Sequence, residues 1–356
     1  MTMLQQTESG QEQVSGKLIS FVIPCYNASA YMDRCIESIL GGAHNFLDRV
    51  EIVIVDDGSH ADDTAVKADD WQAAYPSVIK AIHQPNGGHG QAVNTGLDHA
   101  TGAYFKVVDA DDWLDEDALT LTLVRLKWLA SSNLDVLITN YVYEKLDEGK
   151  RAPIRYVGAL PEGRIFGWSE VGSFKPQQNL LMHTLIYRTQ LLRDIGLRLP
   201  SHTFYVDNIF AYVPLPAVKS LFYLDTDLYR YYIGREGQSV SEATMIKRID
   251  QQLQVTRVMI DAHHLKDVEN PRLRKYMIHY LTMMLSICSV FLRLSDHDDA
   301  EKQRRAIWAY LKEKDPAIYP KIRGGGVGLA ANLPGPAGRT LTLAAYRVVR
   351  KIFKFN

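Results

Sequence analysis

Residues 17–59 begin with the run KLISFVIPCYN (17–27) and end with the run EIVIVDDGS (51–59), with a segment of helical periodicity between them. The same alternation continues through SVIKAI (77–82), YFKVV (104–108) and LDVLIT (134–139). Short strands that alternate with helical segments form parallel sheets with crossover connections. Near-continuous apolar runs are typical of strands that are covered on both faces. The sequence therefore predicts an α/β fold with a mostly parallel sheet flanked by helices.

The rest of the chain differs from this α/β part, which we assign to residues 17–241. Residues 1–16 are polar, without the positive and apolar regions of a signal peptide, and predict a disordered leader. Residues 242–322 have mostly helical periodicity without strand punctuation, so we expect a helical C-terminal region. The Gly/Pro-rich stretch 323–338 predicts a linker, and residues 339–356 predict a basic amphipathic terminal helix.

Charge and cysteine content exclude some classes of function. The 356 residues contain 40 Lys and Arg against 41 Asp and Glu, a balance that argues against a nucleic-acid partner. Residues 301–356 hold twelve Lys and Arg against three Asp and Glu, a net charge of +9, so the first 300 residues carry −10. The three cysteines are too few for a disulfide framework and indicate a reducing, cytoplasmic compartment.

The strongest chemical signal follows the run YFKVV, where Asp109, Ala110, Asp111 and Asp112 come in succession. A turn at the end of a strand can direct Asp109 and Asp111 at one point, and carboxylate oxygens are the ligands that Mg²⁺ and Mn²⁺ prefer. Such an ion would bind a diphosphate with its open positions. The alternative is that Asp111 and Asp112 only begin the following helix, where carboxylates are favourable.

Two other strands also end in polar residues. The run LISFVIP leads into Pro24, Tyr26 and Asn27, and EIVIV leads into Asp56 and Asp57. A carboxylate there could accept hydrogen bonds from a nucleobase or a ribose, or it could only stabilise a turn and cap a helix. The first strand is not followed by G-x-G-x-x-G, which argues against a nicotinamide or flavin enzyme.

A glycine-rich segment, NGGHGQAVNTG (86–96), precedes the next helical stretch. Backbone N–H groups at such a turn can approach phosphate or sugar oxygens, although the glycines could equally serve a turn alone. The histidines at 83, 89 and 99 lack metal-ligand spacing on a helix face and are interpreted as packing or surface residues. Ligands of open α/β sheets bind beyond the carboxyl ends of the strands, so we expect these polar segments to meet in one crevice.

In this order the motifs resemble those of the family 2 glycosyltransferases, which are inverting enzymes with the GT-A fold. The resemblance covers about residues 17–240 and rests on four segments: FVIPCYNASAYMDRCIESIL (21–40), VIVDDGSHADDT (53–64), NGGHGQAVNTGLDHATGAYFKVVDADDWLD (86–115) and FYVDNIF (204–210). It implies a nucleoside-diphosphate sugar as donor, most often a UDP-sugar. It also makes 17–241 the catalytic domain, with a donor half at about 17–139 and an acceptor half at about 140–241.

The resemblance assigns roles to the donor-half residues. Pro24, Tyr26 and Asn27, together with Asp56 or Asp57, would bind the nucleoside. Asn86, Gly87 and Asn94 would border the donor. Asp109, Ala110 and Asp111 would form the Asp-x-Asp motif, which faces the divalent cation, Mn²⁺ or Mg²⁺, and the ribose-diphosphate.

The resemblance also implies a catalytic base in the acceptor half, usually within a pair of acidic residues. Here Val206 stands at the first position of the pair, so the role falls on Asp207 alone. An ordinary helix cap is the alternative for Asp207. Downstream, Arg235 could contact the diphosphate or remain a surface residue. The Gln-x-x-Arg-Trp motif of processive members is absent, which favours the transfer of a single sugar.

Two C-terminal segments bear on membrane association. Residues 276–292, YMIHYLTMMLSICSVFL, fall short of the ~20 residues that a bilayer requires, so we expect a buried helix. The basic, partly apolar residues 340–356 suit the surface of an anionic inner leaflet, although the helix could instead pack on the acidic body.

The prediction is thus a metal-dependent, inverting glycosyltransferase that moves one sugar to a hydroxyl of a glycan, glycolipid or glycoprotein. It would be cytoplasmic and could be peripheral on the inner face of the cell membrane. Two alternatives stay open from the residues alone. One is a catalytically silent partner subunit that binds a nucleotide sugar, and the other is a nucleotidyltransferase, although the latter would require a basic phosphate loop after the first strand.

Overall fold

The computed structural model describes residues 16–234, 241–295 and 297–353, with side chains described as far as Arg347. The predicted leader lies outside these ranges except for Gly16. Twelve strands are present in the described part of the chain: β1 (Ile19–Cys25), β2 (Val50–Asp56), β3 (Ile79–His83), β4 (Tyr104–Val107), β5 (Trp113–Leu114), β6 (Val136–Ile138), β7 (Tyr141–Lys145), β8 (Lys150–Ile154), β9 (Ile165–Phe166), β10 (Leu185–Arg188), β11 (Leu221–Tyr223) and β12 (Tyr229–Tyr232).

Thirteen helices accompany the strands within the described ranges. They are α1 (Met32–Gly42), α2 (Thr64–Ala74), α3 (His89–His99), α4 (Glu116–Leu129), α5 (Thr189–Asp194), α6 (Asp207–Tyr212), α7 (Glu242–Lys247), α8 (Ile249–Ala262), α9 (Pro271–Leu294), α10 (Ala300–Lys314), α11 (Tyr319–Gly324), α12 (Gly326–Ala331) and α13 (Gly335–Phe353).

The main sheet has eight strands in the order β3-β2-β1-β4-β10-β6-β11-β9. Strands β3, β2, β1 and β4 are parallel, as are β6 and β11. Strands β10 and β9 run antiparallel to their neighbours. The predicted mostly parallel sheet is confirmed, and all five apolar runs of the sequence are strands in it. The antiparallel strand β10 was not expected, because strand direction depends on the path of the chain between elements.

Both faces of the sheet are buried. Along β1, Val22 packs into one apolar cluster, which includes residues of α3 such as Val93. Its neighbours Phe21 and Ile23 pack into the other cluster, which includes residues of α1 such as Ile36. Successive side chains of a strand point to opposite faces, so the continuous apolar runs follow directly from burial on both sides.

A second sheet, in the order β5-β12-β7-β8, covers one end of the main sheet. Strands β12 and β7 are parallel, whereas β5 and β8 run antiparallel to their neighbours. Two short connections lead from the main sheet into the second one, from β6 to β7 and from β11 to β12. The amide of Asn140 ties these connections together by donating to Asp225 and Asp227. This places β12 beside the residues that follow β4.

The C-terminal region is helical, as expected. Helix α9 packs against α8, α10, α12 and α13, and the indole of Trp308 in α10 donates to the Ser289 hydroxyl of α9 at 2.9 Å. Among the described residues, α9 is the helix that is long and apolar enough to cross a membrane, yet more than half of its most apolar stretch is buried against the rest of the protein. Such burial is typical of the core helix of a bundle.

The predicted linker, residues 323–338, contains secondary structure instead. It includes the end of α11, all of α12 and the start of α13. A side chain at Gly328 would collide with the carbonyl of Ile322, so the glycine allows α12 to pack closely on α11. Pro336 lies in the first turn of α13, where its missing N–H has no cost. The prediction of a linker was wrong because here glycine and proline serve close packing and helix initiation.

The terminal helix α13 begins at Gly335 and packs on α9 through one face. The guanidinium of Arg339 donates to the carbonyl oxygen of Arg293 at 2.8 and 3.1 Å, and the rings of Tyr346 and Phe291 lie 6.0 Å apart. Leu341 points away from these contacts and is 60% exposed. The helix therefore packs on the body of the protein with one face and leaves apolar surface on another.

Candidate functional site

The segments that follow β1 and β2 are joined by Asn27. Its backbone is left-handed, with φ 49°, and its side-chain oxygen accepts hydrogen bonds from the N–H groups of His60 and Ala61, both at 3.1 Å. Tyr26 is 47% exposed beside Asn27, whereas Pro24 is buried within β1. The predicted nucleoside-binding segment thus forms a fixed turn that presents one aromatic ring to solvent.

Asp56 and Asp57 are both buried and hydrogen-bonded. Asp56 accepts from the Ser59 N–H and pairs with His83, each at 3.0 Å. That hydrogen bond is the main reason why the pKa of His83 is raised. Asp57 accepts from the N–H groups of Gly87 and Gly88 at 2.8 and 2.7 Å and from the Gln84 amide at 2.6 Å. We call Asp56 and Asp57 the framework carboxylates, because their oxygens hold neighbouring loops together.

The glycine-rich turn reaches across to the segment that precedes α6. The carbonyl of Gly87 accepts from the N–H of His202 at 2.6 Å. Gly88 has φ 82°, and a side chain there would lie 2.9 Å from the His202 nitrogen, so only glycine fits. Asn94, expected to border the donor, exchanges two hydrogen bonds with the backbone of Leu199 at 2.8 and 2.9 Å. These contacts fix residues 199–202 against the turn.

Another predicted donor residue, Asn86, is exposed and donates to the carbonyl oxygen of Asp57 at 3.0 Å. It therefore belongs to the same turn as Gly87. The turn lies between β3 and α3. Hydrogen bonds of Asn86, Gly87 and Gly88 hold it to Asp57 after β2, and Gly87 also joins it to His202 in the acceptor half.

Asp109 lies between two imidazoles. Its carboxylate pairs with Nε2 of His89 at 2.8 Å and lies 3.6 Å from Nε2 of His183, while its N–H donates to the Tyr229 hydroxyl at 3.1 Å. Burial alone would raise the pKa of Asp109, but the charges of His89 and His183 hold it below its ordinary value. Burial likewise opposes protonation of His89, yet Asp109 raises the pKa of that imidazole.

Asp112 is buried beside Asp109. It accepts from the Tyr229 hydroxyl at 2.7 Å and from the Tyr232 N–H at 2.8 Å. Burial raises the pKa of Asp112 well above its ordinary value, and the nearby charge of Asp109 raises it further. Asp112 is therefore part of the site rather than only the start of a helix, and the cap of α4 is instead Asp115, which accepts from the Ala118 N–H.

Lys106 supports His183 through a hydrogen bond to its backbone. It is fully buried in β4, and its Nζ donates to the carbonyl oxygen of His183 at 2.7 Å and lies 5.2 Å from the centre of the Tyr229 ring. Burial lowers the pKa of Lys106 to about 7. A buried amine that binds a backbone carbonyl is best explained as a support for His183.

Three of these side chains could hold a metal ion. Ligand atoms of Asp109, Asp112 and His183 lie within 4.8 Å of one another. The Nδ1 atom of His183 is buried and has no hydrogen-bond partner among the described residues. Two carboxylates with an imidazole fit a divalent cation such as Mn²⁺. Asp111, the predicted second ligand, is partly exposed in the turn and is not in this group, so its role stays a prediction.

Asp207 is the first residue of α6. The backbone before Asp207 is strained, because Tyr205, two residues earlier, has a left-handed φ of 66°. Burial raises the pKa of Asp207; the positive charges of His183 and His89 oppose this effect, and the charge of Asp109 adds to it. Asp207 therefore shares one electrostatic environment with Asp109 although the two are far apart in sequence. We call Asp109, Asp112, Asp207, His89 and His183 the central cluster.

Arg235 is outside the described residues, so its role stays a prediction. Arg230, in the same segment, donates to Glu144 at 3.0 Å and to Asp115 at 2.7 Å, so its guanidinium supports the second sheet. Ala110 is buried between the acidic residues.

Sequence reasoning missed His89, His183, Lys106 and the role of Asp112. Two of them carried a usable signal, since Asp112 belongs to the acidic run and His89 to the glycine-rich turn. His183 and Lys106 had none, because a single histidine before β10 and a lysine inside an apolar strand do not reveal their neighbours.

Comparisons with known proteins concern the family and the fold. Residues 20–190 match the sequence model of the family described as Glycosyl transferase family 2. A relative named EpsH, from Bacillus subtilis, is 28% identical over 234 residues, which cover 60% of this chain and 60% of EpsH. This chain thus spans less than two thirds of that relative's length.

Two solved structures share the fold. TarS of S. aureus (residues 1–349), in complex with UDP-GlcNAc, has a TM-score of 0.64 at 19% identity, with 95% of this chain and 91% of that chain covered. The mannosyltransferase PcManGT from Pyrobaculum calidifontis, in complex with GDP-Man and Mn²⁺, has a TM-score of 0.54 at 18% identity, with 99% and 92% covered. At such identities the likeness concerns the fold. Residues 20–190 therefore form a glycosyl transferase family 2 domain, and the chain has a GT-A type of fold.

Proposed function

We propose that this protein transfers a single sugar from a nucleoside-diphosphate sugar, a UDP-sugar, to a hydroxyl of a glycan, glycolipid or glycoprotein, with inversion at the anomeric carbon. The observation that carries the proposal is that Asp109 lies against His89 and His183 and that the charges of all three act on Asp207. One acidic residue follows a donor-half strand and the other begins an acceptor-half helix. A transferase needs both halves in one place, since donor and acceptor must meet there.

In this mechanism Asp207 is the general base. Its carboxylate takes the proton of the acceptor hydroxyl while the oxygen forms a bond to the anomeric carbon. The bond between that carbon and the diphosphate oxygen breaks, and the electron pair leaves with UDP. The raised pKa of Asp207 supports this role, because a carboxylate with a higher pKa is a stronger base.

The donor would lie along the carboxyl ends of β1, β2 and β4. The exposed ring of Tyr26 suits a nucleobase, and the turn at Asn86 and Gly87 suits the sugar-phosphate side. Asp56 and Asp57 would contribute by holding these loops, since their oxygens are already hydrogen-bonded. The bound donors of TarS and PcManGT support a nucleotide sugar, and UDP is our choice on the TarS complex.

Asp109, Asp112 and His183 would hold Mn²⁺ or Mg²⁺, with Asp111 as a further ligand on the exposed side. When bound, the ion would neutralise the negative charge that develops on the leaving diphosphate. The Mn²⁺ in the PcManGT complex supports this proposal.

The test is release of UDP from a set of UDP-sugars, measured with Mn²⁺ and with EDTA. We expect release from at least one UDP-sugar, loss of that release in EDTA, and recovery on adding Mn²⁺. Thermal melting in the same solutions reports binding separately, because a ligand of the native state raises the melting temperature. Donor binding without any release would favour the silent partner subunit instead.

We also propose that the protein works at the cytoplasmic face of the membrane, held by its basic end. Val327 and Leu329 of α12 and Leu341 of α13 are each more than half exposed, and the segment from residue 301 onward carries a net charge of +9. Exposed apolar side chains within a basic segment suit an anionic bilayer surface. Cosedimentation with vesicles of phosphatidylglycerol and phosphatidylcholine tests this, and we expect binding that weakens as salt rises.

A further inference from the structure

The second sheet presents four tyrosines on one face, next to the central cluster. Strands β7 and β12 are parallel and in register, so that Tyr141 pairs with Tyr229 and Tyr143 pairs with Tyr231. Residues two apart in a strand point to the same side. The two pairs therefore form one continuous aromatic face.

The two pairs differ in exposure. Tyr141 and Tyr229 are buried, at 3% and 0% exposed, and Tyr229 is bound to Asp109 and Asp112. Tyr143 and Tyr231 are only partly buried, and their ring centres lie 5.6 Å apart with an interplanar angle of 48°. The inner pair thus supports the acidic residues, whereas the outer pair leaves aromatic surface at the rim.

Tyr231 connects this rim to the chemistry. Its ring centre lies 4.8 Å from that of His183, and its hydroxyl has no hydrogen-bond partner in the part of the chain that the structure describes. Burial raises the pKa of Tyr231, and the charges of Asp112, Asp109 and Asp207 add to this effect. The ring of Tyr231 therefore packs against His183 of the central cluster.

We propose that Tyr143 and Tyr231 form the binding surface for the ring of an acceptor sugar. A pyranose has an apolar C–H face and polar edges, and tyrosine combines an apolar ring with a polar tip. One ring would stack on the sugar while the hydroxyl of Tyr231 binds one of its oxygens. The donor is expected at the ends of β1 and β2, so a surface on β7 and β12 that borders His183 of the central cluster suits the acceptor. This inference rests on the proposed function.

The probe is methyl N-acetyl-β-D-glucosaminide, followed by saturation-transfer NMR, with methyl β-D-glucoside and methyl β-D-galactoside as companions. We use the Asp207→Asn chain with UDP-GlcNAc present, so that the donor subsite is filled and turnover is suppressed. We expect saturation of the C–H protons of at least one glycoside. In the same background, Tyr143→Ala and Tyr231→Leu should reduce that signal at least fivefold.

Two further variants make the result specific. Tyr231→Phe keeps the ring and removes only the hydroxyl, so we expect the signal to persist with an affinity reduced about threefold to tenfold, the size of one lost hydrogen bond. Tyr75→Ala removes a ring that stacks on Trp71 at 6.0 Å, beside the opposite edge of the main sheet, and should leave the signal unchanged. Thermal melting of each variant reports whether it is folded.

Three results would overturn the proposal. The first is an unchanged glycoside signal in folded Tyr143→Ala and Tyr231→Leu chains. The second is a glycoside signal that appears only when UDP-GlcNAc is omitted, which would assign the surface to the donor sugar. The third is the absence of any saturation with all three glycosides. Failure of the proposed function looks different, because then no UDP-sugar would shift the melting temperature or release UDP.

Discussion

Asp57 and Asp109 both lie beyond the ends of parallel strands, but their carboxylates have different kinds of partner. Asp57 accepts hydrogen bonds from two backbone N–H groups and from the side-chain amide of Gln84. Asp109 instead faces two ionisable imidazoles, with a second buried acid, Asp112, beside it. The oxygens of Asp57 are taken by donors that belong to the fold, whereas Asp109 lies beside a second buried acid and could exchange partners with a ligand. Burial alone does not separate the two kinds.

The largest expected effect concerns the proposed base. Asp207→Asn keeps the shape of the side chain but cannot accept a proton, so transfer should fall by about 10²- to 10⁴-fold. Donor binding, measured by the rise in melting temperature with a UDP-sugar and Mn²⁺, should stay within a few-fold. A full transfer rate in this variant would remove Asp207 from the mechanism. The matched control is Asp194→Asn, the same change at an exposed acid at the end of α5.

A second prediction treats Asp57 as a structural group. Asp57→Asn loses the charge that receives three hydrogen bonds and places an amide N–H₂ against backbone donors. We expect the free energy of unfolding to fall by about 2–4 kcal/mol, measured by urea denaturation. Any loss of activity should follow the loss of folded protein. Normal stability combined with inactivity would instead make Asp57 a direct ligand of the donor.

A smaller effect is expected at Asp135, a structural carboxylate far from the site. It accepts from Arg188 at 2.8 Å and from the N–H groups of Lys219 and Ser220 at 2.8 and 3.1 Å. Burial would raise the pKa of Asp135, but these donors lower it below its ordinary value. Because the folded pKa is the lower one, the group stabilises the protein above the unfolded value near ~3.9 and loses this contribution as the pH falls through the folded pKa.

Asp135→Asn should therefore cost about 1–3 kcal/mol at pH 7, and the difference from the unmodified chain should shrink below about pH 4. Urea denaturation at a series of pH values measures it. A difference that does not vary with pH would mean that the charge of Asp135 contributes nothing and that only its shape matters.

The smallest expected effect lies at the basic end. Leu341→Ser removes one exposed apolar side chain from α13 and should weaken binding to anionic vesicles by about threefold to tenfold. Val124→Ser is the matched control, since Val124 is an exposed apolar residue on α4, at 52%. Equal binding by both variants would indicate that α13 contacts only the body of the protein.

The donor half could be predicted from the sequence in some detail. Its strands are apolar runs with polar ends, and the polar ends of parallel strands must share one edge of the sheet. That argument located Asn27, Asp57 and Asp109 without coordinates. It did not separate structural from functional acids, because Asp57 and Asp109 follow equally apolar strands and differ only in the groups that other segments bring to them.

The acceptor half could be predicted less well. His183 precedes an antiparallel strand whose direction no local pattern indicates, and the aromatic face depends on the register of β7 with β12. The glycine-rich segment 323–338 was misread for a related reason. Gly328 is glycine because Ile322 packs against it, and that neighbour is visible only in the folded protein.

By itself, the sequence determined the α/β class, the order of the first strands and the edge where the acidic residues gather, since all three follow from local periodicity and chain direction. Only the tertiary structure decided which acids are satisfied internally, which imidazoles face Asp109, and that Asp207 joins them. Those outcomes depend on contacts between residues far apart in the chain, such as the bond from His202 to Gly87. Local pattern carries no information about such partners, and the charge balance of a buried site is set by them.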